Sequence, residues 1–171
     1  MMIERKKICK MIASLEKYIG QPLEMIICGG AAAILAHNMK RNTADVDLLF
    51  LSYHPPDFER IKAEIAEEFG VDVNWLNEGA KGYIDYLPND FQKRLIRINL
   101  GAKLITAWAI GKIDLIVMKL ASFRPEDLED IDNLGIEKED IKVIKQAIRK
   151  ISSFDKKTAL RMKLFLEERG L

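Results

Sequence analysis

Two acids stand one residue apart in "RNTADVDLLF" (41–50), where Asp45 and Asp47 come just ahead of Leu48, Leu49 and Phe50. Burying a carboxylate is costly unless something positive meets it. Side chains two apart on a strand share a face, so Asp45 and Asp47 point with Thr43, while Val46 and Leu48 turn to the core. Two carboxylates held so close repel one another unless a cation joins them. A divalent ion is the natural partner, because hard Mg²⁺ (or Mn²⁺) takes carboxylate oxygens and keeps positions open for phosphate. The competing reading pairs Asp45 with Arg41 and leaves Asp47 to begin a loop.

Upstream, in "CGGAAA" (28–33), Gly29 and Gly30 end one apolar run and open another. A strand-to-helix turn of this kind presents backbone N–H groups and the positive end of a helix dipole, which suits a phosphate. Glycine leaves the room that a Cβ would fill. The competing reading is a tight turn with no ligand. A dinucleotide-binding loop is excluded, since the G-x-G-x-x-G spacing is missing and no acid closes a second parallel strand at the required offset.

The elements that must position these residues follow from periodicity. Ile8, Met11, Ile12, Leu15, Tyr18 and Ile19 fall at helical spacing, and Gly20 with Pro22 stops that helix. "LEMIIC" (23–28) reads as a buried strand, the alanine-rich stretch after Gly30 as a helix ending near Asn38, and 44–51 as the next strand. "DFERIKAEIAEEFG" is a helix with Phe58, Ile61, Ile65 and Phe69 on one face and Asp57 placed to cap it. "VDVNWL" (71–76) reads as a short strand, and the runs flanking Gly101 as a hairpin. "GKIDLIVMKLASF" is helical with Ile113, Ile116, Val117 and Leu120 on one side. Pro125 fits the first turn of another helix. Two more are predicted over roughly 137–150 and 153–168, with Ser152 and Asp155 as a capping box. The order predicts an α+β (mixed α/β) fold: a small sheet packed by helices, with a helical tail.

Strand, Gly-Gly, helix, then R-x-T-x-D-h-D on the next strand is far more specific than either half. On Gly29, Gly30, Arg41, Thr43, Asp45 and Asp47 the sequence resembles the polymerase-β-like nucleotidyltransferases. Within them it is similar to uncharacterised bacterial and archaeal members related to the AbiEii type of toxin-associated transferase. "WLNEGAKGY" (75–83) and "DLIVMKLASFRPEDLEDIDNL" (114–134) are similar to later blocks of such proteins. The resemblance covers about 23–134, so it implies a nucleotidyltransferase-like domain over 1–134 and a C-terminal helical extension over 135–171. It implies that the Gly-Gly turn, with Arg41 and Thr43, holds an NTP, that Asp45 and Asp47 bind the metal, and that a third carboxylate on a neighbouring strand assists. The hairpin "RLIRINLGAKLITAWAI" has no acid, which leaves Asp72, in "VDVNW", as the third carboxylate or else as a strand-end residue facing water. Lys119 matches a lysine important in the AbiEii-like relatives and is expected to lean toward the triphosphate, with Asp127 or Asp130 as its partner. Those two acids are also readable as a helix-dipole partner and as half of a clasp with Arg124.

The implied activity is transfer of an NMP from an NTP to a hydroxyl of RNA, protein or a small molecule, with a toxin–antitoxin setting and an antitoxin partner also admitted. The alternative is a catalytically silent protein on the same fold that binds a nucleotide or a partner. Trp75, Trp108 and Tyr83 are either base-stacking platforms or core. Arg5, Lys6, Lys7 and Lys10, or Lys156, Lys157, Arg161 and Lys163, are either an RNA-binding surface or the wet faces of helices. With 27 basic and 26 acidic residues the net charge is +1, which argues against a dedicated DNA-coating protein. Cys9 and Cys28 lack metal-ligand spacing and read as reduced, buried thiols, and His37 and His54 as ordinary helix-end or surface histidines. No apolar stretch approaches a membrane span, so a cytoplasmic location is expected, and a homo-oligomer is compatible with the sequence.

Overall fold

In the computed structural model, which describes residues 3–171, the chain divides into two compact units. One runs to Lys81 and resumes over Leu95–Ile110; the other comprises Gly82–Arg94 and Gly111–Leu171. The division falls within the region expected to be one domain, and the helices on either side of residue 134 belong to the same unit. The fold is mixed α+β, as the order of elements predicted.

The first unit is built around strand β1 (Leu23–Ile27), the centre of a five-stranded sheet. A central strand is covered on both faces, and Met25, Ile26 and Ile27 are accordingly all buried. Strand β2 (Val46–Phe50) runs antiparallel to β1, with Ile27 opposite Leu48, and β3 (Leu76–Asn77) runs parallel beyond it. On the other side lie β5 (Ile105–Ala109), parallel to β1, and β4 (Ile96–Ile98), antiparallel to β5, giving the order β3-β2-β1-β5-β4. Helix α1 (Arg5–Ser14) buries Ile8, Met11 and Ile12, and α2 (Gly29–Ala36) buries Ala31 to Leu35. Helix α3 (Phe58–Phe69) contributes Phe58, Ile61 and Ile65, as its period requires. Asp57 precedes it in a left-handed conformation and makes no side-chain cap, contrary to the capping expectation; its carboxylate is 3.7 Å from Arg60 instead.

In the second unit, helix α4 (Lys112–Ser122) is buried continuously from Ile113 to Ala121, not on one side only. It packs with α5 (Pro125–Leu134), α6 (Lys138–Ile151) and α7 (Lys156–Glu168). Pro125 takes the first helical position, as expected, and Asp155, rather than Ser152, caps α7 by accepting from the Thr158 N–H. Among the described residues no helix is long and apolar enough to cross a membrane.

Helix α4 carries an acid, Asp114, at 0% exposure. Arg94 meets it with a two-pronged contact, Nε to Oδ2 and a terminal nitrogen to Oδ1, both 2.8 Å, and also reaches Asp90 at 3.0 Å. Burial pushes the Asp114 carboxyl up, and the guanidinium only partly offsets that. Gly111 is pinned in the same corner, because a Cβ there would lie 2.6 Å from the Arg94 carbonyl oxygen. Arg94→Met should therefore destabilise the protein by about 3 kcal/mol or more, since it leaves a buried charge without its partner. Arg94→Met/Asp114→Leu should recover most of the loss; urea denaturation of the three proteins checks this, and strictly additive losses would contradict it.

Candidate active site

The antiparallel pairing of β1 with β2 brings the two halves of the sequence motif together. It sets the end of β1, where Gly29 and Gly30 follow, beside the start of β2, where the acids lie. The Cys28 N–H donates to the Asp47 carbonyl at 2.8 Å and closes this junction. Cys28, at the N-cap of α2, is buried; burial, and then the charge of Asp47, push its thiol up, away from a reactive thiolate.

Gly29 has φ +59°, and a Cβ there would lie 2.5 Å from Asp47 Oδ2. A Cβ on Gly30 would lie 2.9 Å from Thr43 Oγ1 and 3.6 Å from a terminal nitrogen of Arg41. The room left by the two glycines is thus taken by side chains of the R-x-T-x-D-h-D segment. Asp47 sits against the first turn of α2, where the helix dipole favours an anion. Thr43 is buried, its Oγ1 donates to the Asp45 carbonyl at 3.0 Å, and its backbone bridges to Ile3. Arg5 donates to the Ile34 carbonyl at 2.6 Å, tying α1 to α2.

The strand begins at Val46, so Asp45 lies just ahead of it. Both acids are half-buried and both meet the turn that follows β3. Asn77, in register with Asp47, donates from Nδ2 to Asp45 Oδ2 at 3.0 Å. Its Oδ1 accepts from the Gly79 N–H at 2.7 Å, and a Cβ on Gly79 would lie 3.0 Å from Asp47 Oδ1. Six of the residues singled out in the sequence, Gly29, Gly30, Arg41, Thr43, Asp45 and Asp47, therefore converge at one end of the sheet. Asn77 and Gly79 complete the group. Their sequence signal, N-x-G after a short strand, reads equally as a plain turn, which is why the chemistry was not legible there.

One expected residue of the first unit does not join the group. Asp72 was read on a strand over 71–76, but β3 is only Leu76–Asn77. Asp72 is exposed and spends its carboxylate on its own turn, accepting from the Asn74 N–H at 2.8 Å. An aspartate that can bond its own backbone two residues on favours a turn over a strand. Lys119 belongs to the second unit. Because α4 is buried all round, Lys119 does not lean outward: it is 6% exposed and held by Asp127 at 2.8 Å and Asp130 at 2.6 Å. Trp75 is fully buried and donates to the Lys62 carbonyl, so it is core, while Trp108 donates to Glu24. His37 ends α2 against the Ile110 carbonyl, and His54 packs edge-on between Phe50 and Phe58 beside Glu78.

Among the described residues no three His, Cys, Asp or Glu side chains are arranged to hold a metal ion. That does not disqualify the acidic pair, because Mg²⁺ is commonly held by one or two carboxylates and takes its other ligands from water and substrate phosphates. The donor chemistry of Asp45 and Asp47, all oxygen, fits such an ion.

A mixed sheet here sets a Gly-Gly helix start against a D-x-D strand. The chain belongs to the family DUF6036, described as a nucleotidyltransferase of unknown function, whose model matches residues 6–167. Searches of curated proteins and of solved structures found no match.

Gly29→Ala should destabilise by at least about 1–2 kcal/mol from backbone conformation alone, more with the Asp47 clash. Combined with Asp47→Ala, its cost should shrink, a non-additivity that a double-mutant cycle reads directly. A second test concerns Asp127. Burial pushes its carboxyl up, but the Lys119 and Ser122 hydrogen bonds outweigh that and hold it below the usual carboxylate range. A depressed folded-state value contributes stability that is present above about pH 4 and lost as pH falls through that value. Asp127→Asn should flatten this acid limb of the stability profile; an unchanged limb would show that Asp127 does not produce it.

Proposed function

We propose that the protein is a metal-dependent nucleotidyltransferase that moves an NMP from an NTP to a hydroxyl of RNA, protein or a small molecule. The observation that carries this reading is the seating of Asp47 against Gly29, which puts an acid pair and a helix N-terminus at one point. The first turn of α2 offers backbone N–H groups to the triphosphate, with Arg41 and Thr43 beside it. Asp45 and Asp47 are the residues that would hold Mg²⁺ or Mn²⁺. When bound, such an ion neutralises phosphate charge and lowers the pKa of the attacking hydroxyl. The acceptor hydroxyl oxygen bonds to the α-phosphorus and releases its proton to solvent, the bond from the α-phosphorus to the α–β bridging oxygen breaks, and pyrophosphate leaves with that oxygen. Positioning and charge stabilisation suffice for this chemistry, so no protein nucleophile is needed.

Asp72 would serve as a third carboxylate only by leaving its own turn, and Lys119 would reach a triphosphate only by leaving Asp127 and Asp130. A relation to the AbiEii type, with RNA as acceptor and an antitoxin as partner, is the finer form of the proposal. The position of Asp72 favours one second reading: a protein on the same fold that binds a nucleotide or a partner without turnover.

Asp45→Asn and Asp47→Asn should each lower transfer from labelled NTPs to total RNA or to the protein itself by at least about 100-fold. Both variants should keep their fold. Variants as active as the parent would remove the catalytic assignment. Mg²⁺-dependent NTP binding with no transfer to any acceptor would favour the second reading.

A further inference from the structure

Asn77 is part of no function assigned above, yet it touches both the acid pair and the turn that closes over it. It stands beside Asp47 in parallel register, on the strand next to the one the acids open. Its orientation is fixed by chemistry: the Gly79 N–H can only donate, so Oδ1 faces Gly79 at 2.7 Å and Nδ2 is left for Asp45 Oδ2 at 3.0 Å. Gly79 packs closely into the same arrangement: a Cβ there would lie 2.9 Å from Asn77 Oδ1 and 3.0 Å from Asp47 Oδ1, so a side chain would press on both groups.

We propose that Asn77 is the positioning residue of the acid pair, orienting Asp45 for a divalent cation through an amide anchored on Gly79. The inference rests on the metal-dependent reading of the site. A carboxylate gripped by one oxygen turns less freely, and its other oxygen keeps a defined direction. An amide is suited to this, since it donates without adding charge. An aspartate at 77 could still accept from Gly79 but would repel Asp45, and a lysine would neutralise the pair and compete with the cation. Groups that orient metal ligands in this way typically alter metal affinity 10–100-fold when removed.

The test is Mn²⁺ binding to the full chain, followed by electron paramagnetic resonance of the free ion, with melting temperatures measured with and without Mn²⁺. Asn77→Ala should weaken Mn²⁺ binding by about 10–100-fold with an unchanged circular dichroism spectrum. Asn77→Asp keeps the Gly79 contact and guards against a folding failure of the alanine variant. It should melt lower than the parent without metal and gain more from Mn²⁺ than the parent does. A purely structural asparagine would give equal Mn²⁺-induced gains, and that result, or Asn77→Ala binding within about twofold of the parent, overturns the proposal. A parent that binds no Mn²⁺, or an Asp45→Asn variant that binds it as well as the parent, overturns the metal reading itself and this proposal with it.

Discussion

Asp47 can lie against the first turn of α2 because position 29 has no Cβ and adopts φ +59°. Everything proposed for this protein depends on that approach. The antiparallel pairing of β1 and β2 makes it geometrically available, by setting the end of one strand beside the start of the next. The helix dipole makes it electrostatically favourable. The glycine makes it sterically allowed, and the neighbouring Gly30 does the same for Thr43. An acid placed there compensates the helix end by itself, and with a cation between them it can share that end with a phosphate.

The second unit solves a different problem with similar groups. Its central helix is buried on every side, yet carries Asp114 and Lys119. Each is matched inside the unit, Asp114 by Arg94 and Lys119 by Asp127 and Asp130. Removing one member of such a set leaves a buried charge, whereas removing the set together costs much less. These contacts tie together α4, α5 and the 82–94 segment. Asp45 and Asp47, by comparison, are half-buried and gathered around glycines and the Asn77 amide.

Much of this was legible in the sequence. The central strand showed as a short, mostly apolar run, the helices by their period, and six residues of the site by the pairing of Gly-Gly with R-x-T-x-D-h-D. What was not legible came from contacts with no sequence period. Asp72 looked like a strand residue because valines flank it, but its own side chain makes the turn that keeps it out of the sheet. Lys119 looked like an outward-facing residue because its helix appeared one-sided; a helix buried all round hides which of its polar residues is paired. Asn77 joins the acids only through the parallel pairing of a two-residue strand, far too short to announce its partner.

The most direct test of the central claim is a crystal structure with Mn²⁺ and a non-hydrolysable NTP, read by anomalous scattering. The account predicts a manganese peak touching carboxylate oxygens of both Asp45 and Asp47, with the triphosphate over the N–H groups of Gly29 and Gly30. A metal and nucleotide bound elsewhere, with either acid turned away onto a neighbouring cation, would contradict it.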